Sequence, residues 1–312
     1  MTLRQLQYLC EIVRQGLHLS QAADALHTSQ PGVSKQIQLL EEELGIVIFR
    51  RRRNRLLGLT AAGAEIHRYA QQVLLQIDNI RGAGREHASE PNGTLTIATT
   101  HTQARYVLPA VIGRFVQKFP GVRLEFWQGN RREVFKRVES GDADLALGTD
   151  CGEKLENVAL LGCGLLRHSV VARPRHPILA SPKPNLVDIA QYPIISYAFE
   201  PNGRWKLSGA FEAQGLQPNI VFRAVDADVC KAYVELGIGI AILATAAFDP
   251  TRDKYLRAVS VDHIFPPEPL FIGLNQKQFH RKYVFEFIGM LAPALTRSVI
   301  ERALEDSISS AA

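Results

Sequence analysis

The sequence is short of the residues that would make it a secreted scaffold, a membrane protein or a metalloenzyme. Its 312 residues include four cysteines, Cys10, Cys151, Cys163 and Cys230, with no CxxC spacing. That is too few and too scattered for a disulfide framework, so buried thiols are expected, with a Cys151/Cys163 redox pair as the lesser alternative. No apolar run approaches the length of a membrane span. The opening Met1-Thr2-Leu3-Arg4-Gln5 lacks the charged-then-apolar layout of a signal peptide, so a cytoplasmic location and no membrane partner are expected. His101, His168 and His176 lack metal-ligand spacing, and no serine sits in a Gly-x-Ser-x-Gly turn. Asp226 and Asp228 place two carboxylates close together, but directly before a helix they read more simply as a cap and a first-turn acid. No catalytic constellation emerges, and neither enzyme chemistry nor a metal or cofactor is expected.

What is present is ordinary globular protein, 46% apolar, with enough chain for two or three domains. The net charge of +5 and pI near 9.1 permit an acidic partner. The distribution says more: residues 1–60 hold eight Lys/Arg against five Asp/Glu, and five of those cations are Arg50, Arg51, Arg52, Arg53 and Arg55. Such a run is often just a solvated segment, yet it also attracts a polyanion strongly at low salt.

Leu3, Leu6, Leu9, Cys10 and Val13 make an amphipathic first helix that stops at Gly16. Ser20 reads as the cap of a short second helix carrying Ala22, Ala23 and Leu26. Only His27 and Thr28 then precede Ser29, a further cap, with Pro31 placed where a proline costs no hydrogen bond. In the helix that follows, Val33, Ile37, Leu40 and Leu44 form one apolar stripe and leave Gln30, Ser34, Lys35 and Gln38 outside. Two helices so tightly joined, the second with a polar outer face, predict a helix-turn-helix whose amides, hydroxyls and ammonium meet base edges and phosphates. A plain solvated face would use the same residue types. Ile46-Val47-Ile48-Phe49 and Leu56-Leu57-Gly58-Leu59 read as two strands around a basic turn, a wing whose Arg51, Arg53 and Arg55 can follow the DNA backbone or enter the minor groove. Thr60 looks like the cap of a long helix in which Ile66, Tyr69, Val73, Ile77 and Ile80 recur at threes and fours. Running to near His87 it would extend roughly 40 Å. Its narrow seam suits pairing with a second copy, the alternative being packing on its own chain, and Gly82 and Gly84 should fray its end.

Residues 89–93 read as a hinge, and from Thr94 strands alternate with helices. Strands are expected at 95–98, 122–126 and 144–147 with helices at 107–119 and 131–140. A second block repeats the layout, with strands at 169–171, 194–197, 220–222 and 238–243 and helices at 185–190, 203–214 and 229–236. A strand at 270–274 and a tail helix from Lys282 to about Ala303 return to the first block. This order builds parallel sheets by right-handed crossovers, and two such α/β lobes leave a cleft at the carboxyl ends of their strands. There the chain reads Thr99-Thr100-His101-Thr102-Gln103-Ala104-Arg105-Tyr106, a set of neutral donors at a helix start that suits sulfate or carboxylate. Thr149 and Asn202-Gly203-Arg204 follow two further strands that can face it. Ordinary capping is the competing reading, most plainly for Thr102.

The chain resembles the LysR-type transcriptional regulators over essentially its whole length. The resemblance rests on Leu19-Ser20-x-Ala22-Ala23-x-x-Leu26-x-x-Ser29-Gln30-Pro31-x-Val33-Ser34-x-Gln36-Ile37-x-x-Leu40-Glu41-x-x-Leu44-Gly45-x-x-x-Phe49-x-Arg51, followed by Leu59-Thr60-x-Ala62-Gly63. Within that family, residues 97–106 and Asp226-Ala-Asp228-Val229 are similar to the CysB/Cbl branch, regulators of sulfur assimilation. The resemblance implies an α/β architecture: a winged helix-turn-helix at 1–59, a dimerising linker helix at 60–88, the hinge, and a two-lobed, periplasmic-binding-protein-like effector domain at 94–312. Lobe I would take about 94–164 plus 268–303, and lobe II about 165–267. It further implies an activator that binds double-stranded promoter DNA as a dimer or tetramer, and RNA polymerase as a partner. Thr28, Gln30, Pro31, Ser34 and Lys35 would meet the major groove, with Arg51 and Arg53 in the wing. Thr100, Thr102, Gln103, Thr149 and Asn202 would cradle a small anionic effector such as sulfate, adenosine phosphosulfate or an acetylated serine. The branch tends to have threonine at Asn202 and an aromatic at Leu166, so the preferred anion is expected to differ; a non-sulfur anion is the alternative. The two-lobed half alone would also suit a solute-binding protein, but that class predicts an export signal.

Overall fold

Local chemistry sets nearly every helix end in the first 60 residues. The computed structural model describes the chain except position 54 and residues 87–91, 198–204 and 310–312, and divides it into two compact units, Met1–Ser89 with Lys277–Arg281, and Glu90–Gln276 with Lys282–Ala312. In the first, α1 (Leu3–Arg14) opens on a capping box between Thr2 and Gln5. Gly16 and Leu17 then both adopt left-handed backbone, φ 62° and 70°, and turn the chain so that α2 (Leu19–Ala25) starts after His18. Ser20 therefore lies inside the first turn of α2 and is not its cap. α3 (Gln30–Leu44) begins as expected, the Ser29 hydroxyl accepting from Gly32 N–H at 3.3 Å, and ends on left-handed Gly45. Leu9, Ile12, Val33, Ile37, Leu40, Ile48 and Phe49 form the buried core.

The wing is shorter than its apolar residues suggest. Its strand β1 covers Phe49–Arg52 and pairs antiparallel with β2 (Arg55–Leu59), so the arginines lie in the ladder as well as in the turn. Ile46, Val47 and Ile48 stay outside it. The Thr60 hydroxyl caps α4 (Ala61–Glu86) by accepting from Gly63 N–H at 2.9 Å. Gly63 is obligatory there, since a Cβ would sit 2.0 Å from the Ile48 carbonyl oxygen. Helix α4 continues through Gly82 and Gly84 to Glu86, and Tyr69, Val73 and Ile80 of its seam are exposed. Near its end the Asn79 side chain holds the Lys277 carbonyl and the Phe279 N–H, each at 2.7 Å. The hinge expected at 89–93 falls largely outside the described residues, and Gly93 already opens a strand.

The second unit starts with β3 (Gly93–Thr99), α5 (Leu108–Lys118), β4 (Val122–Gln128), α6 (Arg131–Glu139), β5 (Leu145–Thr149) and β6 (Val158–Leu166). The chain then crosses at Arg167 into β7 (His168–Ala172), α7 (Leu186–Ala190), β8 (Ile194–Ser196), α8 (Ser208–Glu212), β9 (Ile220–Arg223), α9 (Ala227–Glu235), β10 (Ile240–Ala244) and β11 (Arg257–Ser260). It returns through β12 (Glu268–Asn275), α10 (Lys282–Leu291) and α11 (Arg297–Ser309). The sheets are ordered β4-β3-β5-β12-β6 and β11-β7-β10-β8-β9, two α/β lobes joined by two crossings. They are mixed, contrary to the parallel expectation: β12 runs antiparallel to β5 and β6, and β7 antiparallel to β10 and β11. Neither β6 nor β11 is anticipated by the sequence reading. The described helical part of 203–214 is only α8. The tail helix is broken between α10 and α11 at Pro293, which has no N–H to donate. Among the described residues, no helix is long and apolar enough to cross a membrane.

Candidate functional site

Two surfaces carry the candidate residues. On the first, α3 buries Val33, Ile37 and Leu40 and turns Gln30, Pro31, Lys35 and Gln38 to solvent, with Thr28 and Ser34 half-buried beside them. Beyond it the wing places Arg50, Arg52, Arg53 and Arg55 on the surface. Arg52 lies directly opposite Arg55 in the ladder, an arrangement that repels itself unless an anion lies over it. Arg53 occupies the tight turn in left-handed backbone, φ 53°. Arg51 stands apart, because its guanidinium reaches back to Glu41 of α3 at 2.9 Å.

The second surface is the cleft between the lobes of the second unit. Strands β3 and β5 are parallel neighbours with Thr99 opposite Leu147, so Thr149 ends β5 level with the residues leaving β3. A helical segment starts straight after Thr100 and widens into a π turn at Gln103–Val107 before α5. Such turns re-aim side chains and are frequent at functional sites. Thr102, Gln103 and Thr149 are all buried, Gln103 being only 3% exposed, and the Gln103 Oε1 has no hydrogen-bond partner. Thr102 does not cap: its backbone is already helical and its side chain makes no cap hydrogen bond; it lies beside Tyr197, the residue after β8, in the other lobe. Burial pushes the Tyr197 phenol up, so it stays protonated. Asn202 lies outside the described residues.

A charged clasp joins the lobes beside these groups. Asp226 caps α9, accepting from Val229 N–H at 2.9 Å, and lies 3.8 Å from His101 Nε2. Asp228, in the first turn of α9, accepts from Tyr106 Oη at 2.7 Å and Arg105 Nε at 3.1 Å, both on the π turn of lobe I. Buried Lys231 adds a contact at 3.4 Å and pairs with Asp253 at 3.1 Å. Burial alone would raise the Asp228 pKa, but the bonds from Tyr106 and Arg105 and the Lys231 charge hold it below the ordinary carboxylate range. His101, Asp226 and Asp228 bring ligand-type atoms within 4.8 Å of one another, yet a cation would there compete with Arg105 and Lys231, which already occupy the carboxylate. All four cysteines are free, and burial pushes the Cys163 and Cys230 thiols up to about 12, so neither is an activated nucleophile.

Residues 3–64 match the bacterial regulatory helix-turn-helix protein, lysR family, and residues 88–296 match the LysR substrate binding domain. The chain belongs to the LysR family. It is 42% identical to the HTH-type transcriptional regulator CysB of Burkholderia cenocepacia over 98% of this chain and 97% of that protein. It is also 40% identical to the regulator SsuR of the same organism, over 99% and 100%. The crystal structure of the cofactor-binding domain of the Cbl transcriptional regulator is similar to 70% of this chain and 96% of its own, at 34% identity and TM-score 0.63. This LysR-family chain is thus a DNA-binding transcriptional regulator with an effector-binding domain, and not an enzyme.

In this LysR-family fold the described candidate residues lie at two places, with Arg51 turned back to Glu41. Thr28, Gln30, Pro31, Ser34 and Lys35 gather at the start of α3 and Arg53 at the wing tip, while Thr100, Thr102, Gln103 and Thr149 gather at adjoining strand ends. No local sequence signal marks Tyr197 or Lys231, or the joint role of Arg105, Tyr106 and Asp228. Their partners are more than a hundred residues apart in the Tyr106–Asp228 case, and nothing local announces such a pairing.

Proposed function

We propose that this regulator activates sulfur-acquisition genes and is switched by a small sulfur-linked anion bound between the lobes on Thr100, Thr102, Gln103 and Thr149, with Asn202 as a further contact. The sulfur reading is supported by the likeness of residues 97–106 to the CysB/Cbl branch and by relatives that carry those names. The observation that carries the site is the buried Gln103 Oε1 with no partner beside buried threonine hydroxyls. A buried polar atom left unpaired is costly, so the site is built to be completed by a ligand. Neutral hydroxyls and the first amides of a helical segment hold an anion without a full counter-charge. The orphan acceptor additionally asks for a donor, which favours an effector with an N–H or O–H near its anionic group, such as an acetylated serine or adenosine phosphosulfate, over bare sulfate.

On the DNA side, Gln30, Ser34 and Lys35 meet base edges and phosphates of an imperfect palindrome, with Thr28 and Pro31 against the backbone and Arg53 reaching from the wing. Pairing of two chains through the exposed seam of α4 supplies the matching symmetry, a dimer of dimers is the assembly, and RNA polymerase is the downstream partner in the cytoplasm. The test is a thermal-shift screen of sulfate, thiosulfate, adenosine phosphosulfate and acetylated serines on the full chain, repeated with Thr100→Val/Thr102→Val. One of the donor-bearing anions should raise the melting temperature of the wild type and not of the variant. A variant that responds as fully as the wild type removes the pocket assignment.

A further inference from the structure

We propose that Glu41 is the positioning residue that fixes the wing to the recognition helix, and that Arg51 serves DNA binding by gripping Glu41 and not by contacting phosphate. Glu41 follows the buried Leu40 on α3, and its side chain is 14% exposed. One carboxylate oxygen, Oε1, accepts from the backbone N–H of Ile48 at 2.8 Å and of Phe49 at 3.2 Å. The other, Oε2, accepts from Arg51 Nη2 at 2.9 Å. Ile48 and Phe49 are fully buried, and their amides lie where the chain leaves the helical core and the β1 ladder is only beginning. A buried N–H without a partner would cost more than an ordinary hydrogen bond gains, so the entry of the wing depends on this one side chain.

The rest of the wing explains why the third contact matters. The β1/β2 register slips between Arg50 and Arg51, a bulge that weakens the ladder at the point where Arg51 reaches back to α3. The Arg50 side chain folds across Gly58, its Nη2 2.7 Å from where a Cβ would stand. Arg52 and Arg55 face each other with like charge. Buried Phe49, with Leu56 and Leu59 packed on the same core, seats the base of the hairpin; beyond that base, where the register slips and the arginines repel one another, Glu41 with Arg51 supplies the hold from the helix side. The pair is partly buried, the Arg51 side chain being 32% exposed, so salt screens it less than it screens the fully solvated arginines. Helix and wing therefore reach DNA already set at one angle, and the affinity lost on breaking the pair is an ordering cost and not a lost phosphate contact.

This inference rests on the wing touching DNA, and the experiment separates the two. Full-length protein is titrated against a labelled duplex selected from a random pool by the wild type, over a range of salt concentrations. Arg51→Ala and Glu41→Gln should each weaken binding about tenfold, as for one charge-assisted hydrogen bond, and the double variant should be no worse than the weaker single one. The slope of log affinity against log salt should stay at the wild-type value in Arg51→Ala, while Arg53→Ala flattens it by about 0.9, one released counterion. Glu41→Gln binding as tightly as wild type or tighter, or Arg51→Ala flattening the slope by the same step as Arg53→Ala, overturns the proposal, because a freed Arg51 would then be acting on phosphate. If Arg53→Ala changes neither affinity nor slope, the wing is not on the DNA and the underlying reading falls with it. Circular dichroism melts check that the variants fold; should Glu41→Gln unfold, Arg51→Gln, which leaves α3 intact, carries the same slope test.

Discussion

The DNA-facing surface and the interlobe cleft wait for their ligands in opposite states. On α3 the backbone is already satisfied, by Ser29 at its start and Gly45 at its end, and the side chains that would meet DNA lie in water. In the cleft the polar groups are buried, Gln103 Oε1 and His101 Nδ1 have no partner, and the two lobes are tied by Asp228. The difference is the one that the two proposed ligands would require. Duplex DNA offers a long row of charges, so affinity accumulates from many solvated contacts and released counterions. The small anion proposed for the cleft has few atoms and would have to be enclosed, which is the use that donors held dry in the free state would serve. Substitutions on α3 should therefore change binding and spare stability, whereas substitutions in the cleft should change both.

The largest effect is expected in the cleft. Gln103→Leu should abolish the effector-induced thermal shift, with affinity down about a hundredfold or more for loss of a buried, ligand-paired group. The same change should raise the melting temperature of the free protein slightly, since the orphaned acceptor costs about 1–3 kcal/mol. Isothermal titration and a melt on one sample read both; a stabilised variant that still binds fully would erase the contrast. Next in size, Ser34→Ala and Lys35→Ala should weaken operator binding about tenfold each, with melting temperature within a degree or so of wild type. Unchanged affinity in both would remove α3 as the reading helix.

The same contrast governs what the sequence discloses. Ser29, Pro31, Gly45 and Thr60 are legible because a cap or a stop is decided within four residues, and the apolar stripe of α3 because its period is local. Glu41 is not: its partners lie seven to ten residues on, and the β-branched Ile46-Val47-Ile48 imitates a strand whose key amide it has taken. In the effector domain the alternation of strands and helices reveals two lobes but not strand direction, so antiparallel β12 is invisible. Strand β6, diluted by Gly162 and Gly164, escapes altogether. The threonines after β3 are readable as donors, whereas Tyr197 and Asp228 become part of the site only when the lobes meet. Pro293 is the exception, a local signal that should have split the tail helix.

The clasp tests whether the cleft is coupled to the lobes or merely lined by them. Tyr106→Phe removes the 2.7 Å bond to Asp228 and leaves the Thr102 and Gln103 donors in place. The melting temperature of the free protein should fall by about 2–4 °C, as for the loss of one hydrogen bond in a domain of this size, and effector affinity should change several-fold, because an anion can shift the lobes only by as much as it binds the two arrangements differently. Lower stability with unaltered affinity would make Asp228 a structural residue only.

The smallest effect is one of pH. His168, at the crossing into lobe II, is 7% exposed with its Nδ1 unpartnered, and burial holds its pKa below the ordinary histidine value. The folded state therefore prefers the neutral ring and the unfolded chain takes up the proton first. The stability this contributes is fully present above the ordinary value near 6.5 and is lost as the pH falls through the lower folded value. His176, also lowered by burial, acts in the same direction from a more open position, so His168→Gln should flatten the decline in melting temperature between about pH 7 and pH 5 without removing it. Among the described residues the α3 face proposed for the operator carries no buried histidine, and salt is expected to dominate its response. A variant with the wild-type pH profile would mean that the buried ring finds a partner when charged, and the contrast between a dry cleft and a wet helix would then stop short of the lobe crossing.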